Sequence, residues 1–170
     1  MTDKPLKILT IVRHAKSSWK DASLGDRERP LNRRGERDAP VMGKRIQSHG
    51  IRPSLIISSP AVRAWTTARI VAAEINYPIE FLQRESGLYL ASLEQLLDVI
   101  LSQDDGFNSL MLFGHNPGLT DLVNFVQPGL TSNLPTAGVV SVGIHQDDWN
   151  LYNQPSTELL VHDWPKKLPR

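Results

Sequence analysis

Short apolar runs recur along the chain with polar residues on either side. Three of them occupy residues 7–12, 54–58 and 109–113. Each is too short for a stable helix, and each is almost continuously apolar rather than alternating. Continuous apolarity in so short a run is typical of a strand that is covered on both faces. We therefore predict three buried strands from these runs.

Between these runs, apolar residues recur at the three-to-four spacing of an amphipathic helix. The clearest case is 34–48, where Ala39, Met42 and Ile46 share a face and Gly50 follows the last turn. Helices are also predicted over 60–75, which begins with proline, and over 93–101 and 118–125. Two later apolar runs, 139–144 and 157–162, predict a hairpin at the edge of the sheet. Strands that alternate with helices predict an α/β fold, a three-layer α/β/α sandwich with a largely parallel central sheet.

Composition narrows the class of protein. With 170 residues and 40% hydrophobic side chains, we expect a single domain over residues 1–170. The absence of cysteine excludes disulfides, a thiolate nucleophile and a cysteine-ligated zinc. The net charge is +1 with acids and bases interleaved, so neither a nucleic-acid partner nor a membrane partner is expected. The first residues lack an apolar signal region and the apolar runs are short, which predicts a soluble, cytoplasmic protein.

Polar fragments follow each of the three predicted strands directly. They read R-H-A-K-S at 13–17, S-S-P-A-V-R-A-W-T-T at 58–67 and G-H-N-P-G at 114–118. Because the carboxyl ends of parallel strands share one rim of the sheet, these distant fragments should converge. The charged segment 17–31 reads as a long loop at the same rim, where ligand sites of α/β proteins tend to lie.

The converging side chains suit a phosphoryl group. Guanidinium forks match two phosphate oxygens at once, and an imidazole can attack phosphorus or donate a hydrogen bond to an oxygen. A histidine nucleophile must be neutral and unprotonated at the attacking nitrogen, which requires its other ring nitrogen to donate to a fixed acceptor. The pattern therefore predicts a phosphate site built around a nucleophilic histidine.

These motifs resemble those of the histidine phosphatase superfamily. R-H-A at 13–15 is similar to the family's R-H-G or R-H-A signature, the fragment 59–67 resembles its second motif, and Gly114-His115 resembles its third. R-P-L-N-R-R-G at 29–35 resembles the family's R-P-L-T-x-x-G element, with Asn32 in place of the usual threonine. The resemblance extends over most of the chain.

The resemblance implies roles for individual residues. His14 would attack phosphorus and become a phosphohistidine, while Arg13, Arg63 and His115 would hold the equatorial oxygens and stabilise their charge. Water would then hydrolyse the phosphoenzyme. No metal or other cofactor is implied. The candidates for further substrate contacts are Arg29, Ser17 and Asn116, and oxyanions are expected to bind.

Within the superfamily, the short length and the R-H-A-K-S variant look most like SixA-type phosphohistidine phosphatases. There is little room for a cap insertion between Arg63 and His115. An open site would suit phosphohistidine on a protein, such as a histidine phosphotransfer domain of a signalling relay or a phosphocarrier. Glu85 is the acidic residue in roughly the family's general-acid place, after a strand or loop at 79–82. A phosphoramidate needs such an acid less than an ester does.

Structural interpretations of the same residues stay open. Without the other motifs, Arg63 would be interpreted as a solvated helix residue and His115 as a structural histidine in a turn. Arg29 would be interpreted as the partner of Asp26 or Glu28 on the loop surface. Glu85 would be a solvated or capping residue. The remaining histidines, His49, His145 and His162, show no metal-ligand spacing.

Two other functions remain in competition with the phosphohistidine phosphatase. One is a phosphatase of small phosphomonoesters on the same fold. The other is a module that binds phosphoproteins without turnover, although the presence of His14 and its partners argues against that class.

Overall fold

The computed structural model describes residues 4–168. Within that range the strands form one mixed sheet in the order β3-β2-β4-β1-β5-β6. The strands are β1 (Lys7–Arg13), β2 (Leu55–Ser58), β3 (Gln83–Arg84), β4 (Ser109–Gly114), β5 (Val139–Ile144) and β6 (Thr157–Asp163). The α-helices of the same range are α1 (Arg33–Ser48), α2 (Val62–Glu74), α3 (Leu93–Leu101) and α4 (Gly118–Val126).

The sheet is parallel from β3 to β1 and antiparallel beyond it. The pairs β2/β3, β2/β4 and β1/β4 are parallel, whereas β1/β5 and β5/β6 are antiparallel. The predicted α/β fold with a largely parallel sheet is therefore confirmed, and so is the hairpin at its edge. In this arrangement β1, β2 and β4 all end at one rim, where Arg13 is opposite Gly114 and Ser58 is opposite Phe113.

A separate hydrophobic core covers each face of the sheet. On one face Met42 and Ile46 of α1 and Val71 of α2 pack with Ile56 and Phe113 of the strands. On the other face the helices α3 and α4 pack over alternate strand residues, which include Leu9, Ile11, Leu55, Ile57, Leu110 and Leu112. Because both faces are covered, nearly every residue of these central strands is buried, which explains why their sequences are continuously apolar.

Helix ends follow the local sequence signals. Asn32 precedes α1, and its side-chain oxygen accepts a hydrogen bond from Gly35 N at 2.9 Å. Asparagine thus supplies the polar cap that the usual threonine of this motif would supply. At α3, Ser92 and Gln95 form a reciprocal capping box.

The connection after α2 differs from the prediction. The segment 79–82, expected to be a strand or a loop, contains the 3₁₀ turn Ile79–Phe81, and the short edge strand β3 follows it. The residues before this strand are largely exposed at the margin of the sheet, so no alternating or buried pattern marks it. Among residues 4–168, no helix combines the length and the apolarity needed to cross a membrane.

Candidate active site

His14 is the first residue after β1, and its ring is oriented by the backbone that follows it. Its Nδ1 lies 2.7 Å from the carbonyl oxygen of Ala15. A carbonyl can only accept, so Nδ1 carries the proton and Nε2 of the neutral ring has a free lone pair. The Ala15 peptide is held in turn by Thr67 of α2, whose Oγ1 accepts from Ala15 N at 3.0 Å.

Burial and charge keep the His14 ring neutral. Its side chain is almost completely buried, and this desolvation lowers its pKa to about 4. The hydrogen bond to Ala15 acts in the opposite direction, and the charges of Arg63, Arg13 and Arg29 lower the pKa further. At neutral pH, His14 therefore satisfies both requirements of a nucleophile: a neutral ring and a fixed tautomer.

His115, the first residue after β4, lies beside His14 with a ring-centroid separation of 5.2 Å. Burial, together with the charges of His14 and Arg63, lowers its pKa to about 3. Its Nε2 is 2.7 Å from Ser59 Oγ, and that hydroxyl accepts from Ala61 N at 3.2 Å. When the Ser59 hydroxyl donates to Nε2, the ring proton of His115 lies on Nδ1, a buried nitrogen without a partner among residues 4–168.

Arg13 and Arg63, like His115, each have a nitrogen that is available to a ligand. In both residues Nε is buried and has no hydrogen-bond partner in the described part of the chain. Arg13 donates from NH1 to Leu134 O at 2.9 Å, and burial lowers its pKa. Arg63 is almost completely buried, so its guanidinium is fixed rather than solvated. The solvated-helix interpretation of Arg63 is therefore wrong.

Asp26 holds one edge of the Arg63 guanidinium. NH1 of Arg63 donates to the Asp26 carbonyl at 2.7 Å, and NH2 donates to its carboxylate at 3.0 Å. The same carboxylate accepts from the Tyr89 hydroxyl and from Arg29. The tyrosine hydrogen bond is the main cause that lowers the pKa of Asp26 to about 2. Because Asp26 binds the two terminal nitrogens of the Arg63 guanidinium, Nε stays available to a ligand.

Asp26 and Tyr89 also belong to this cluster, although no motif in the sequence indicates them. Asp26 enters it from the loop after β1, and Tyr89 packs edge-on against His115 with centroids 5.6 Å apart. The three-residue spacing between Asp26 and Arg29 signals a local ion pair, which the structure shows at 3.2 Å. No pattern along the chain relates either residue to Arg63.

Arg29 and Ser17 lie beside the histidines rather than on the loop surface. Arg29 is buried, donates to Ser17 Oγ at 2.8 Å and contributes to the lowered pKa of His14. Its guanidinium also stacks at 3.5 Å from the centre of the Trp19 ring. The structure thus combines the two interpretations of Arg29: it pairs with Asp26, and its charge acts at the site.

The side chains of Asn116 and Glu85 form hydrogen bonds within the protein. The Asn116 amide donates to Leu134 O at 2.9 Å and accepts from Thr120 N at 3.2 Å, so both of its polar ends have protein partners. The carboxylate of Glu85 accepts from Gly87 N at 3.0 Å and caps a 3₁₀ turn. These contacts favour a structural role for Asn116 and the capping interpretation of Glu85. In the described residues, no group of three or more histidine and acidic side chains is arranged to hold a metal ion.

Comparison with known proteins agrees with this geometry. The family model of the histidine phosphatase superfamily (branch 1) matches residues 9–96, which contain His14, Arg29 and Arg63. The chain belongs to the histidine phosphatase superfamily. An uncharacterized protein from Picosynechococcus sp. is 30% identical over 169 residues, covering 94% of this chain and 98% of its own.

Solved structures show the same fold. A crystal structure from Agrobacterium tumefaciens, described as a proposed phosphohistidine phosphatase SixA, is 24% identical with a TM-score of 0.75, covering 94% of this chain and 99% of that one. The protein histidine phosphatase SixA complexed with tungstate is 20% identical with a TM-score of 0.77, covering 93% and 97%. This superfamily member therefore has a SixA-like fold, and membership of the superfamily supports phosphatase activity.

Proposed function

We propose that this protein is a phosphatase that removes phosphate from phosphohistidine in other proteins, with His14 as the nucleophile. The observation that carries the proposal is the set of buried N–H donors around His14. Arg13 Nε, Arg63 Nε and His115 Nδ1 are all buried and unpartnered within residues 4–168. Leaving such a donor unpaired costs about 1–3 kcal/mol. An oxyanion bound among them recovers that energy.

The chemistry divides into two displacements. In the first, His14 Nε2 forms a bond to phosphorus, the bond from phosphorus to the substrate nitrogen breaks, and the leaving imidazole keeps the electron pair. In the second, water forms a P–O bond, the bond to His14 breaks, and inorganic phosphate and the neutral histidine are released. Arg13, Arg63 and His115 donate to the equatorial oxygens and stabilise the charge that develops on them.

The carboxylates near the site favour a phosphoramidate over an ester. An alkoxide leaving group needs a proton from a general acid. Asp26 has its pKa lowered to about 2 and is ionised at neutral pH, and the Glu85 carboxylate is engaged in a cap. An imidazole leaves as a neutral molecule once its far nitrogen is protonated, so it needs no such donor. Similarity of the fold to SixA, which has been solved with tungstate, supports both oxyanion binding and this substrate class.

A panel of substrates tests the proposal directly. The wild-type enzyme is assayed on a phosphohistidine-bearing protein, on free phosphohistidine and on phosphoserine and p-nitrophenyl phosphate, with and without excess EDTA. We expect the highest kcat/KM on the phosphoprotein, full activity in EDTA, and inhibition by vanadate. Loss of activity in EDTA that Mg²⁺ or Zn²⁺ restores would contradict the metal-independent mechanism.

Glu85→Gln separates the two substrate classes. We expect it to change phosphohistidine turnover less than about twofold, whereas removal of a true general acid costs about a hundredfold or more on esters with poor leaving groups. A small phosphoester that outperforms the phosphoprotein, with Glu85→Gln abolishing that activity, would identify an ester phosphatase instead.

A further inference from the structure

A groove lined by basic side chains lies between the loop that follows β1 and the first turn of α1. Its volume is about 680 Å³, far more than a phosphoryl group fills. We call it the basic groove and define it by its charged and aromatic lining residues, which are Lys16, Trp19, Lys20, Arg33, Arg34 and Glu36. Ser17 also lines the groove and accepts a hydrogen bond from Arg29 of the candidate active site, so the two regions are neighbours.

Positive charge is concentrated in this groove. Four of its residues are cationic and one is anionic, a local charge of 4 − 1 = +3. The whole chain carries 19 − 18 = +1, so the rest of the molecule has a net charge of −2. Within residues 4–168, only Arg34 of these four cations makes an ion pair, at 3.5 Å from Asp38. The other cations remain available to an external anion.

The frame of the groove is rigid. Gly35 packs so closely on the loop that a Cβ atom there would lie 2.1 Å from Lys16 O. The same carbonyl accepts from Asn32 N at 3.0 Å, and Ser18 N donates to Pro30 O at 2.8 Å. The backbone that carries the cations is therefore already ordered, which lowers the entropic cost of binding a partner.

Trp19 adds an apolar contact at the groove and links it to the site. Its side chain is 74% exposed, an unusual state for so large an aromatic residue. Arg29 stacks on the ring at 3.5 Å and also donates to Ser17 Oγ, so the indole is held in place rather than free. An exposed, immobilised tryptophan with cations nearby is typical of the anchor of a protein–protein interface.

We propose that the basic groove docks an acidic protein surface, so that a phosphorylated histidine within that surface reaches His14. This inference rests on the proposed function and specifies the partner's chemistry: carboxylates flanking the phosphohistidine, facing the groove. Electrostatic attraction of this kind acts mainly on the rate of association and on specificity. We therefore expect substitutions in the groove to change kcat/KM for protein or peptide substrates and not for a small aryl phosphate.

The test uses charge reversal at two exposed groove positions, Lys20→Glu with Arg33→Glu. Glutamate is favourable in the first turn of a helix, so the change at position 33 does not endanger α1. The matched control, Lys44→Glu with Arg52→Glu, makes the same change of charge at exposed residues outside the groove. Each protein is assayed on a phosphohistidine peptide flanked by aspartate and glutamate, on one flanked by lysine, and on p-nitrophenyl phosphate.

We expect the wild type and the control to favour the acidic peptide in kcat/KM by about tenfold at low salt, with the preference fading near about 1 M salt. The groove variant should lose that preference while its turnover of p-nitrophenyl phosphate stays unchanged. Equal preference in the groove variant and the wild type would overturn the inference. The inference would also be overturned if the wild type showed no peptide preference but bound phosphatidylserine vesicles, and only the groove variant lost that binding. This result would assign the groove to a membrane. Failure of the wild type on every phosphohistidine substrate would instead contradict the proposed function.

Discussion

Two clusters of histidine, arginine and aspartate in this molecule have opposite hydrogen-bonding character. In the structural cluster, Asp163 at the end of β6 accepts from His49 at 3.1 Å, from Arg45 at 3.3 Å and from Trp164 N at 2.8 Å, while Arg45 also donates to Trp164 O. In the active-site cluster, Arg13, Arg63 and His115 each keep a buried nitrogen that has no partner within residues 4–168.

The difference separates a structural role from a catalytic one. Buried polar groups that only stabilise a fold are paired, because an unpaired one costs free energy on folding. A site that binds a ligand keeps its donors unpaired until the ligand arrives. Residue composition does not distinguish the two clusters, since each contains histidine, arginine and aspartate. The unpaired donors of the active-site cluster distinguish it from the structural cluster.

The largest effect is expected at His14, the proposed nucleophile. His14→Ala should reduce turnover of p-nitrophenyl phosphate and phosphohistidine by on the order of a thousandfold or more, with folding retained, because no other group can form the covalent intermediate. Circular dichroism checks the fold, and acid-labile phosphate on the denatured wild-type enzyme reports the intermediate. His49→Ala, in the structural cluster, is the control and should keep full activity. Wild-type turnover in His14→Ala would remove the basis of the mechanism.

Asp26 tests whether the active-site cluster is positioned by its own carboxylate. Asp26→Asn keeps the shape but loses the charge that holds the Arg63 edge, and we expect kcat/KM to fall by about 10–100-fold because small displacements of a positioned group are costly. Vanadate affinity should weaken in parallel. Tyr89→Phe, which removes one hydroxyl and keeps the ring against His115, should cost less. Tighter vanadate binding with unchanged turnover would show that Asp26 competes with the oxyanion instead.

A substitution in the structural cluster should lower stability and leave activity unchanged. Asp163→Ala removes the shared acceptor of Arg45 and His49, and we expect it to lower the free energy of unfolding by about 2 kcal/mol, since hydrogen bonds to charged groups contribute about that much. Its kcat/KM should match that of the wild type. Urea unfolding together with the aryl phosphate assay measures both quantities. A large loss of activity at unchanged stability would contradict the assignment of this cluster to the fold.

The pH dependence of stability gives the most specific signal. Folding lowers the pKa of His14 to about 4 and that of His115 to about 3, so between pH about 6.5 and about 4 the unfolded chain binds protons that the native protein excludes. Stability is therefore fully present above pH about 6.5 and falls on acidification, by about 1.4 kcal/mol per pH unit for each histidine. Urea unfolding at a series of pH values should show a shallower slope in His14→Ala. Equal slopes would mean that His14 titrates normally in the folded protein.

Much of the fold was predictable because its signals are local. Continuous apolarity identified β1, β2 and β4, and helical periodicity identified α1 and α3. The short strand β3 escaped detection because it has only two residues and both are exposed, so neither length nor pattern marks it. The placement of His14, Arg63 and His115 at one rim followed from the parallel order of the strands that precede them.

The sequence by itself determined the class of fold, the rim at which the motifs meet and the family to which they belong. These properties depend on patterns within a few residues and on the rule that parallel strands end together. Only the tertiary structure decided that Asp26 and Tyr89 join Arg63, and which nitrogen of His14 carries the proton. It also decided that Asn116 bonds to Leu134 and Thr120 and that Glu85 caps a 3₁₀ turn. Such pairings depend on side-chain directions between segments far apart in the chain. The orientation of one guanidinium is set by packing that no local pattern encodes.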